Sequence, residues 1–475
     1  MDEDILSVNS EDLERLNQIE AVDAFRDLLW AEANYCGIAA NLLSVPSAIN
    51  VRDGGVDAEI SDVELPDKNN GIIKEGKTCY QIKSGDFNIR QRNKRKEILE
   101  RGNSGELNHK VKECLDSNGT LIIVLFGWDQ PLNDGSYEES FQDSLQEFTD
   151  EYNNPDIEVW LQNTLRGYFR QFPNLALRLN RKANLHFETF HEWGRRNEVH
   201  SRIYHPDDSH ERWISTIREK LEDSGSRYTS FIRIIGNRGI GKTRLAFEAL
   251  NKKDLKHLVC YTTATNFEDS RLERELRRKS SLSAIVVIDE CDRDECSRIW
   301  DKFKHLDESE RLTFITITGD PEEPISKDID VVELEAIEEE QCKQILLDYD
   351  GVDEELADHF AGYCEGYPRF AHLLGQNLEH EKHPLEAGEH IQPWDRCIAG
   401  RDEIGGDGFE QRKLVLKYLS LFRRFGFEKP YREEAKAIHG LVEKHDPTIT
   451  FPVFQTIVNG RMQDETQRFY KGGFK

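Results

Sequence analysis

The stretch "FIRIIGNRGIGKTRLAFEAL", Phe231 to Leu250, decides the fold of the middle of the chain. A short apolar run rich in β-branched residues leads into a glycine-rich segment, and a helix-forming run follows it. The glycine-rich segment, Gly236 to Thr243, matches the pattern G-x-x-x-x-G-K-[ST] in the strand-to-helix context that this pattern requires. The sequence therefore predicts a phosphate-binding loop between a buried strand and a helix.

Each residue type in this loop has a physical role in binding a nucleotide. Glycines let backbone N–H groups curl around phosphate oxygens, and the helix N-terminus adds partial positive charge. We predict that Lys242 reaches the β- and γ-phosphates and that Thr243 ligates Mg²⁺. The predicted nucleotide-binding residues of the loop are Gly236, Asn237, Arg238, Gly239, Ile240, Gly241, Lys242, Thr243 and Arg244. ATP and Mg²⁺ are the predicted cofactors.

Further apolar runs place acidic and hydroxyl side chains at the ends of neighbouring strands. "SAIVVIDE" ends in Asp289, predicted to lie on the Mg²⁺ side of the site, and Glu290, predicted to orient the attacking water as a base. "LTFITITGD" brings Thr318 or Asp320 to the same edge, either to sense the γ-phosphate or only to cap the strand. With "HLVCYTT", these runs predict a doubly wound parallel sheet over residues 226–330.

The chain beyond this sheet is predicted to be helical. Residues 331–405 contain amphipathic stretches, and residues 406–475 contain three short helical patterns that resemble a winged helix cut off at its wing. Within the first of these segments, "EGYPRFAHLLG" carries Gly366 and Pro368, which alone indicate a turn that starts a helix. Behind a P-loop core, this G-x-P resembles the motif of STAND-class NTPases. That resemblance implies that Pro368 packs near the nucleotide base. Arg369, directly after the motif, is a candidate to approach phosphate.

Residues 1–190 follow a different pattern, a mixture of helices and strands that predicts a small α/β domain. In "CYQIKSG", the alternation of a strand puts Gln81 and Lys83 on one face. A buried lysine is costly unless an anion meets it, so this pair predicts an anion beside the strand. The upstream stretch "RDGGVDAEI" offers Asp57, which we prefer as the acidic partner, with Asp53 and Glu59 as competitors.

Asp57 followed by Gln81-x-Lys83 resembles the PD-(D/E)xK nuclease fold, in the Mrr-like branch where glutamine replaces the acidic residue. The resemblance implies a restriction-endonuclease-like α/β/α domain in which Asp57 and Gln81 hold Mg²⁺. Their oxygens suit a hard cation, which would polarise a scissile phosphate of DNA beside Lys83. Glu32, on the apolar face of the first helix, either completes this site or reaches solvent at the helix edge.

A basic stretch directly follows the Gln81-x-Lys83 strand and offers two interpretations. "NIRQRNKRKEILER", Asn88 to Arg101, is rich in lysine and arginine. Such a charge run is most often a solvated helix face. Its position next to Lys83 favours the second interpretation, a local groove that binds double-stranded DNA.

Composition limits the class of protein and its compartment. The 475 residues have a formal net charge of −27, which argues against a protein that coats nucleic acid. No apolar run approaches the roughly 18 residues of a membrane span, and the acidic N-terminus is unlike a secretory signal. The nine cysteines form no CxxC pair, so reduced thiols in a cytoplasmic protein are expected.

The order of the predicted domains resembles one family. A nuclease at 1–190, a connector at 191–225, a P-loop core, a helical domain and a winged helix are similar to bacterial antiviral STAND (AVAST) NTPases of the type-4-like class with an Mrr-like effector. The resemblance implies ATP-dependent assembly, usually to a homotetramer. It also implies a phage-protein trigger, portal or large terminase subunit, recognised by a C-terminal sensor that this sequence lacks. The alternative is an ATP-regulated DNA-binding or transcriptional regulator whose nuclease-fold module does not cut.

Overall fold

The computed structural model describes most of the chain. The described residues are 4–45, 56–65, 71–85, 87–100, 104–128, 137–148, 152, 155–180, 186–196, 202–222, 229–278, 281–306, 311–319, 325–378, 407–419 and 432–465. The chain divides into two compact units, residues 1–202 with 206–335 and residues 203–205 with 336–475.

The first domain of the larger unit is built on a mixed five-stranded sheet in the order β1–β2–β3–β4–β5. Its strands are β1 Leu43–Ser44, β2 Ala58–Val63, β3 Gly76–Lys83, β4 Thr120–Leu125 and β5 Ile157–Trp160. Its helices are α1 Ser10–Glu14, α2 Gln18–Cys36, α3 Arg92–Leu99, α4 His109–Asp116, α5 Tyr137–Gln146, α6 Gln162–Phe169 and α7 Pro173–Leu179. Strands β1 to β3 pair antiparallel, and β3 to β5 pair parallel.

Helices cover both faces of this sheet. On one face, the ring of Phe25 in α2 lies 5.2 Å from the ring of Tyr80 in β3. On the other face, Cys79 packs in a buried cluster with apolar residues of α3, α4 and α5, including Val111 and Phe141. Alternate side chains of β3 therefore enter different cores, as period-two geometry requires. The α/β/α layering predicted from the sequence is present.

The second sheet of the larger unit has six strands in the order β11–β7–β10–β9–β8–β6. Its strands are β6 Glu188–Thr189, β7 Ser230–Ile235, β8 Val259–Thr263, β9 Ser283–Asp289, β10 Arg311–Ile317 and β11 Asp330–Glu333. Its helices are α8 Phe190–Arg196, α9 Asp208–Glu222, α10 Lys242–Leu250, α11 Ala264–Asp269, α12 Arg271–Arg278 and α13 Arg293–Phe303. All pairings are parallel except that of β6 with β8, and the strand order reverses beside β7. The predicted parallel sheet is present, with an added antiparallel edge strand.

Two strands at the edges of this sheet lie outside the predicted core of 226–330. β11 pairs with β7 and extends the sheet into residues that were predicted to be helical. β6 pairs with β8, and α8 packs against β8 through its side chains. The predicted domain boundary at residue 190 therefore separates β6 from α8, although both pack on the P-loop sheet. Both strands are short, and a run of two to four residues gives too little alternation to be recognised in sequence.

The first domain packs against the edge of the P-loop sheet where strands begin. The Arg311 guanidinium, at the start of β10, donates to the carbonyl oxygens of Asn34 (2.7 Å) and Tyr35 (2.6 Å) at the end of α2. The Ser283 N–H, at the start of β9, donates to the Gln171 carbonyl at 2.8 Å. Because the predicted nucleotide residues follow the strands' carboxyl ends, the first domain lies at the opposite edge.

The smaller unit is helical where it is described. It contains α14 Glu339–Leu347, α15 Glu354–Ala361, α16 Pro368–Leu378, α17 Asp407–Leu419, α18 Arg432–Glu443 and α19 Phe451–Glu465. The first three helices share a buried cluster that includes Leu346, Phe360 and Leu374. The last three share another, around Val415 and Phe454. The three short helices predicted after residue 406 are present, while residues 466–475, where the predicted winged helix is cut off, lie outside the described residues.

None of the helices in the described part of the chain is long and apolar enough to cross a membrane.

Candidate functional site

The P-loop connects β7 to α10 as the sequence predicts. Gly236, Gly239 and Gly241 have φ values of 145°, 82° and 100°, which residues with a side chain rarely adopt. A Cβ at Gly236 would also come within 2.7 Å of the Leu334 carbonyl oxygen. These glycines allow the loop to turn tightly against the sheet before the helix begins.

Lys242 is the first residue of α10 and is 7% exposed. Its ammonium donates to the carbonyl oxygens of Gly236 at 3.0 Å and Asn237 at 2.6 Å, so it lies within the curve of the loop. A buried ammonium that is held by carbonyls is already desolvated, and a phosphate there would interact with it strongly. The position fits the predicted contact with the β- and γ-phosphates.

Thr243 and Asp289, the two predicted Mg²⁺-side residues, are in contact. The Thr243 hydroxyl donates to Oδ2 of Asp289 at 2.9 Å, although β10 separates β9 from the P-loop strand β7. The Tyr261 hydroxyl donates to the same oxygen at 3.0 Å. Hydroxyl and carboxylate oxygens side by side are the ligand types that Mg²⁺ takes in P-loop sites, so these residues fit the ion.

Glu290 is exposed, and its backbone is strained. It has a φ of 53°, a left-handed conformation uncommon for a residue with a side chain, and its N–H donates to Oδ1 of Asp289 at 2.8 Å. Such strain is concentrated at functional sites. An exposed carboxylate beside Asp289 is compatible with the predicted base, whose role stays a prediction.

The other residues predicted for the nucleotide site belong either to the loop segment or to the end of β10. Arg238 packs over Gly319, where an added Cβ would lie 2.9 Å from its Cγ. Thr318 is buried and its N–H donates to the Ile234 carbonyl at 3.1 Å, which joins β10 to β7 next to the loop. Arg244 pairs with Glu248 of its own helix at 2.8 Å. Asp320 lies outside the described residues.

The G-x-P segment begins a helix, as the simpler interpretation predicts. Pro368 is the first residue of α16, and Gly366 has a φ of 74°. A Cβ on Gly366 would come within 2.4 Å of the Ile337 carbonyl oxygen, so only glycine fits this turn. Arg369 is exposed. Contact of Pro368 with a nucleotide base stays a prediction.

The first domain brings Asp57 and Gln81 together. Oδ2 of Asp57 accepts hydrogen bonds from the Gln81 amide at 3.0 Å and from the Ile82 N–H at 2.6 Å. Gln81 is 6% exposed, and its Oε1 has no hydrogen-bond partner among the described residues. An unpaired buried oxygen costs about 1–3 kcal/mol, unless a ligand or water occupies the site. A hard cation would satisfy this oxygen, so the pair fits the predicted Mg²⁺.

Lys83 ends the same strand. It is half-buried, and its ammonium lies 5.9 Å from the centre of the Phe87 ring. Lys94 of α3 lies 5.8 Å from the centre of that ring. Lys94 also pairs with Glu97 at 2.8 Å, so Lys83 is the cation at this ring that would attract phosphate beside Gln81.

Of the two acidic residues that compete with Asp57, the structure describes Glu59 but not Asp53. Glu59 pairs with Lys77 at 2.9 Å and with Lys110 at 2.8 Å. Burial opposes ionisation of Glu59, but hydrogen bonds from Lys110 and Lys77 outweigh it and hold its pKa below the usual value. Its charge is therefore already compensated. Asp53 lies outside the described residues.

The structure does not bring Glu32 to this site. Gln18, at the start of α2, contacts the end of β3 through the Ile82 carbonyl at 2.8 Å, and Glu32 lies about 21 Å further along the helix axis. Oε1 of Glu32 instead accepts from the Ile72 N–H at 3.3 Å. At 2% exposure, Glu32 does not reach solvent either, so both expectations for it are wrong.

Burial makes Glu32 a source of pH-dependent stability. Desolvation raises its pKa from 4.5 to about 7, against weaker opposing hydrogen bonds from Ile72 and Cys36. The native state therefore holds a proton that the unfolded state releases above pH 4.5, and stability falls as pH rises through this window. We expect Glu32→Gln to remove a penalty of up to about 3 kcal/mol at pH 8. Denaturant unfolding at pH 5 and pH 8 measures the change in the free energy of unfolding, with the exposed Glu97→Gln as control. If Glu32→Gln and wild type had equal pH dependence, Glu32 would not be the source of the pH-dependent stability.

The basic stretch is partly neutralised within the domain. Glu147 pairs with Arg92, and with Lys96 at 2.5 Å. Arg95 of the same helix donates to Ser144 at 2.9 Å, and Ile98 is buried. Helix α3 therefore packs on α5 with part of its charge compensated, and Lys94 and Lys83 contact the same Phe87 ring. Binding of DNA by this stretch stays a prediction.

Comparisons with known proteins give only distant likenesses. No protein-family profile matches the sequence, and no curated protein sequence matches it. The RuvB Holliday junction branch migration motor of Thermotoga maritima is similar in structure at 15% identity, over 54% of this chain and 88% of that chain, with a TM-score of 0.32. Cdc6p from Pyrobaculum aerophilum is similar at 15% identity, over 56% and 90%, with a TM-score of 0.30.

A Signal Transduction ATPase with Numerous Domains (STAND) protein is also similar. It is PH0952 from Pyrococcus horikoshii, which has a tetratricopeptide repeat sensor, at 14% identity over 54% of this chain and 45% of that chain, with a TM-score of 0.29. These likenesses are too distant to carry an argument. The positions of Lys242, Thr243 and Asp289 in the six-stranded sheet do support a conclusion. Residues 229–335 form a P-loop NTPase fold.

Proposed function

We propose that this chain is an ATP-dependent STAND-class switch that controls a Mg²⁺-dependent DNA endonuclease in its first domain. The observation that carries the nuclease proposal is the pair of Asp57 and Gln81, with a buried amide oxygen that lacks a partner among the described residues. Lys83 follows on the same strand. A pure binding module has no need for this arrangement of carboxylate, amide and lysine.

Each residue of the first-domain site has its own role in cleavage. Asp57 and Gln81 hold the cation, and the Ile82 N–H fixes the orientation of Asp57. Lys83 binds the scissile phosphate and orients the attacking water. Bound Mg²⁺ supplies Lewis acidity toward the phosphate and makes a bound water more acidic.

In the P-loop sheet, the chain's own residues bind and orient the nucleotide. Lys242 and the N-terminus of α10 hold the phosphates, Thr243 and Asp289 take the Mg²⁺ side, and Glu290 positions water for hydrolysis. We propose that ATP favours one arrangement of the domains and that assembly then pairs nuclease sites, so that both strands of duplex DNA are cut.

The biological setting of the proposal is antiphage defence in the cytoplasm. A phage protein of the portal or large terminase class, recognised by a C-terminal sensor outside this sequence, would trigger assembly to a homotetramer. The formal charge of −27 supports a resting state that binds DNA weakly.

Plasmid degradation tests the proposal. Supercoiled plasmid is incubated with Mg²⁺, with and without ATP, and with the sensor-bearing protein and its trigger. We expect ATP-dependent cutting that Lys83→Ala abolishes and that Lys112→Ala, on an exposed face of α4, retains. Tight DNA binding without cutting by the triggered protein would instead establish the alternative, an ATP-regulated DNA-binding module.

A further inference from the structure

Oδ2 of Asp289 has a second hydrogen-bond donor that the sequence motifs do not include. Tyr261, in β8, donates its hydroxyl proton to Oδ2 of Asp289 at 3.0 Å, the oxygen that also accepts from Thr243. The Thr263–Asp289 register pairs these two strands directly. Tyr261 is 9% exposed, so its ring and hydroxyl are held within the sheet rather than moving in solvent.

Tyr261 is in turn held by the segment that joins the first domain to the P-loop sheet. The Trp193 indole of α8 stacks on the Tyr261 ring, with centroids 4.5 Å apart and planes 15° from parallel. Trp193 also meets Phe247 of α10 edge-on at 5.1 Å, and Phe190 stacks on Phe247 at 4.5 Å. α8 therefore packs on both the Asp289 side and the P-loop helix.

The preceding residues fix this segment to the same strand. The Thr262 hydroxyl donates to the His186 carbonyl at 2.9 Å, and β6 pairs with β8 through Glu188 and Tyr261. A Cβ at Gly194 would lie 3.0 Å from the Phe247 ring, so α8 lies close against α10. A displacement of α8 would therefore move the Tyr261 ring and with it the donor to Asp289.

We propose that Tyr261 is a positioning residue for the Mg²⁺-side carboxylate Asp289, and that Trp193 couples its position to the segment leaving the first domain. The inference rests on the proposed nucleotide site. Partners that orient a metal-side carboxylate typically change metal affinity by about 10- to 100-fold when they are removed. A group that acts only through Asp289 should change the dependence on Mg²⁺ and leave Mg²⁺-free nucleotide binding unchanged.

The test is a Mg²⁺ titration of fluorescent ADP binding to the full chain, with thermal stability measured alongside it. We expect Tyr261→Phe, which keeps the ring, to raise the half-saturating Mg²⁺ concentration about tenfold or more. Trp193→Ala should raise the half-saturating Mg²⁺ concentration about fivefold, the fold-change that corresponds to losing one aromatic pair, that of Trp193 with Tyr261. Nucleotide affinity in EDTA should stay at the wild-type value in Tyr261→Phe, which keeps the ring contacts of Tyr261.

Matched controls separate this effect from general damage. Tyr152→Phe removes a tyrosine–carboxylate hydrogen bond of 2.6 Å, to Asp116 in the first domain, and Trp300→Ala removes a tryptophan that packs on Phe231 of the same sheet. Neither should shift the Mg²⁺ titration. An unchanged titration in Tyr261→Phe, with normal binding by wild type, would overturn the inference alone. Absence of Mg²⁺-nucleotide binding by wild type would instead overturn the proposed function.

Discussion

Lys242→Ala should reduce nucleotide binding and ATP hydrolysis by about 100-fold or more. The ammonium lies within the P-loop, 3.0 Å from the Gly236 carbonyl oxygen, and it is 7% exposed. Removing it takes away the charge that faces the phosphates at a site screened little by water. Fluorescent ATP binding and phosphate release measure the two effects separately.

A matched lysine controls for the loss of charge. Lys252, just beyond the end of α10, is 40% exposed at its side chain and lies 3.9 Å from Asp254, so Lys252→Ala should bind and hydrolyse ATP like wild type. Lys242→Ala also loses two hydrogen bonds to loop carbonyls, so its thermal midpoint is compared with that of wild type without nucleotide. A variant that folds normally and still binds ATP tightly would show that the nucleotide site is elsewhere.

The P-loop fold could be predicted because its information is local. The run from Phe231 to Leu250 contains strand, glycine turns and helix in one contiguous segment, and each is fixed by neighbours in sequence. β11 and β6 could not be predicted in the same way. Each is stabilised by pairing with a strand that is distant in sequence, β7 and β8 respectively, and has too few residues to show a pattern of its own.

Whether a candidate side chain lies at the predicted site also depends on contacts between residues distant in sequence. The contact of Asp57 with Gln81 follows from two adjacent strands, and the role of the pair as a cation site stays a prediction. Glu32 was misplaced because helix periodicity gives the face of a residue but not its position along the neighbouring strand. Tyr261 was not predicted at all, because a tyrosine inside an apolar strand looks like core until its hydroxyl is seen to meet Asp289.

Asp57→Asn should abolish metal binding in the first domain and reduce DNA cleavage by about 100-fold or more. The substitution keeps an oxygen that can accept from the Ile82 N–H, now at 2.6 Å from the carboxylate, so the strand pairing is expected to survive. It removes the negative charge that a hard cation requires from its ligands. Mn²⁺ titration by calorimetry, with Asp289→Asn as background to remove the metal-side carboxylate of the P-loop site, measures the loss of binding directly.

Glu59→Gln is the matched control, because Glu59 follows two residues later and was the competing assignment. Its carboxylate is held by Lys77 and Lys110 and is largely buried, so the substitution should cost about 1–3 kcal/mol of stability and leave cleavage near the wild-type rate. If Glu59→Gln abolished cleavage while Asp57→Asn retained it, the acidic ligand would be Glu59. If both variants cut like wild type, neither Asp57 nor Glu59 would be the acidic ligand, and the assignment of the cation to the pair of Asp57 and Gln81 would be wrong.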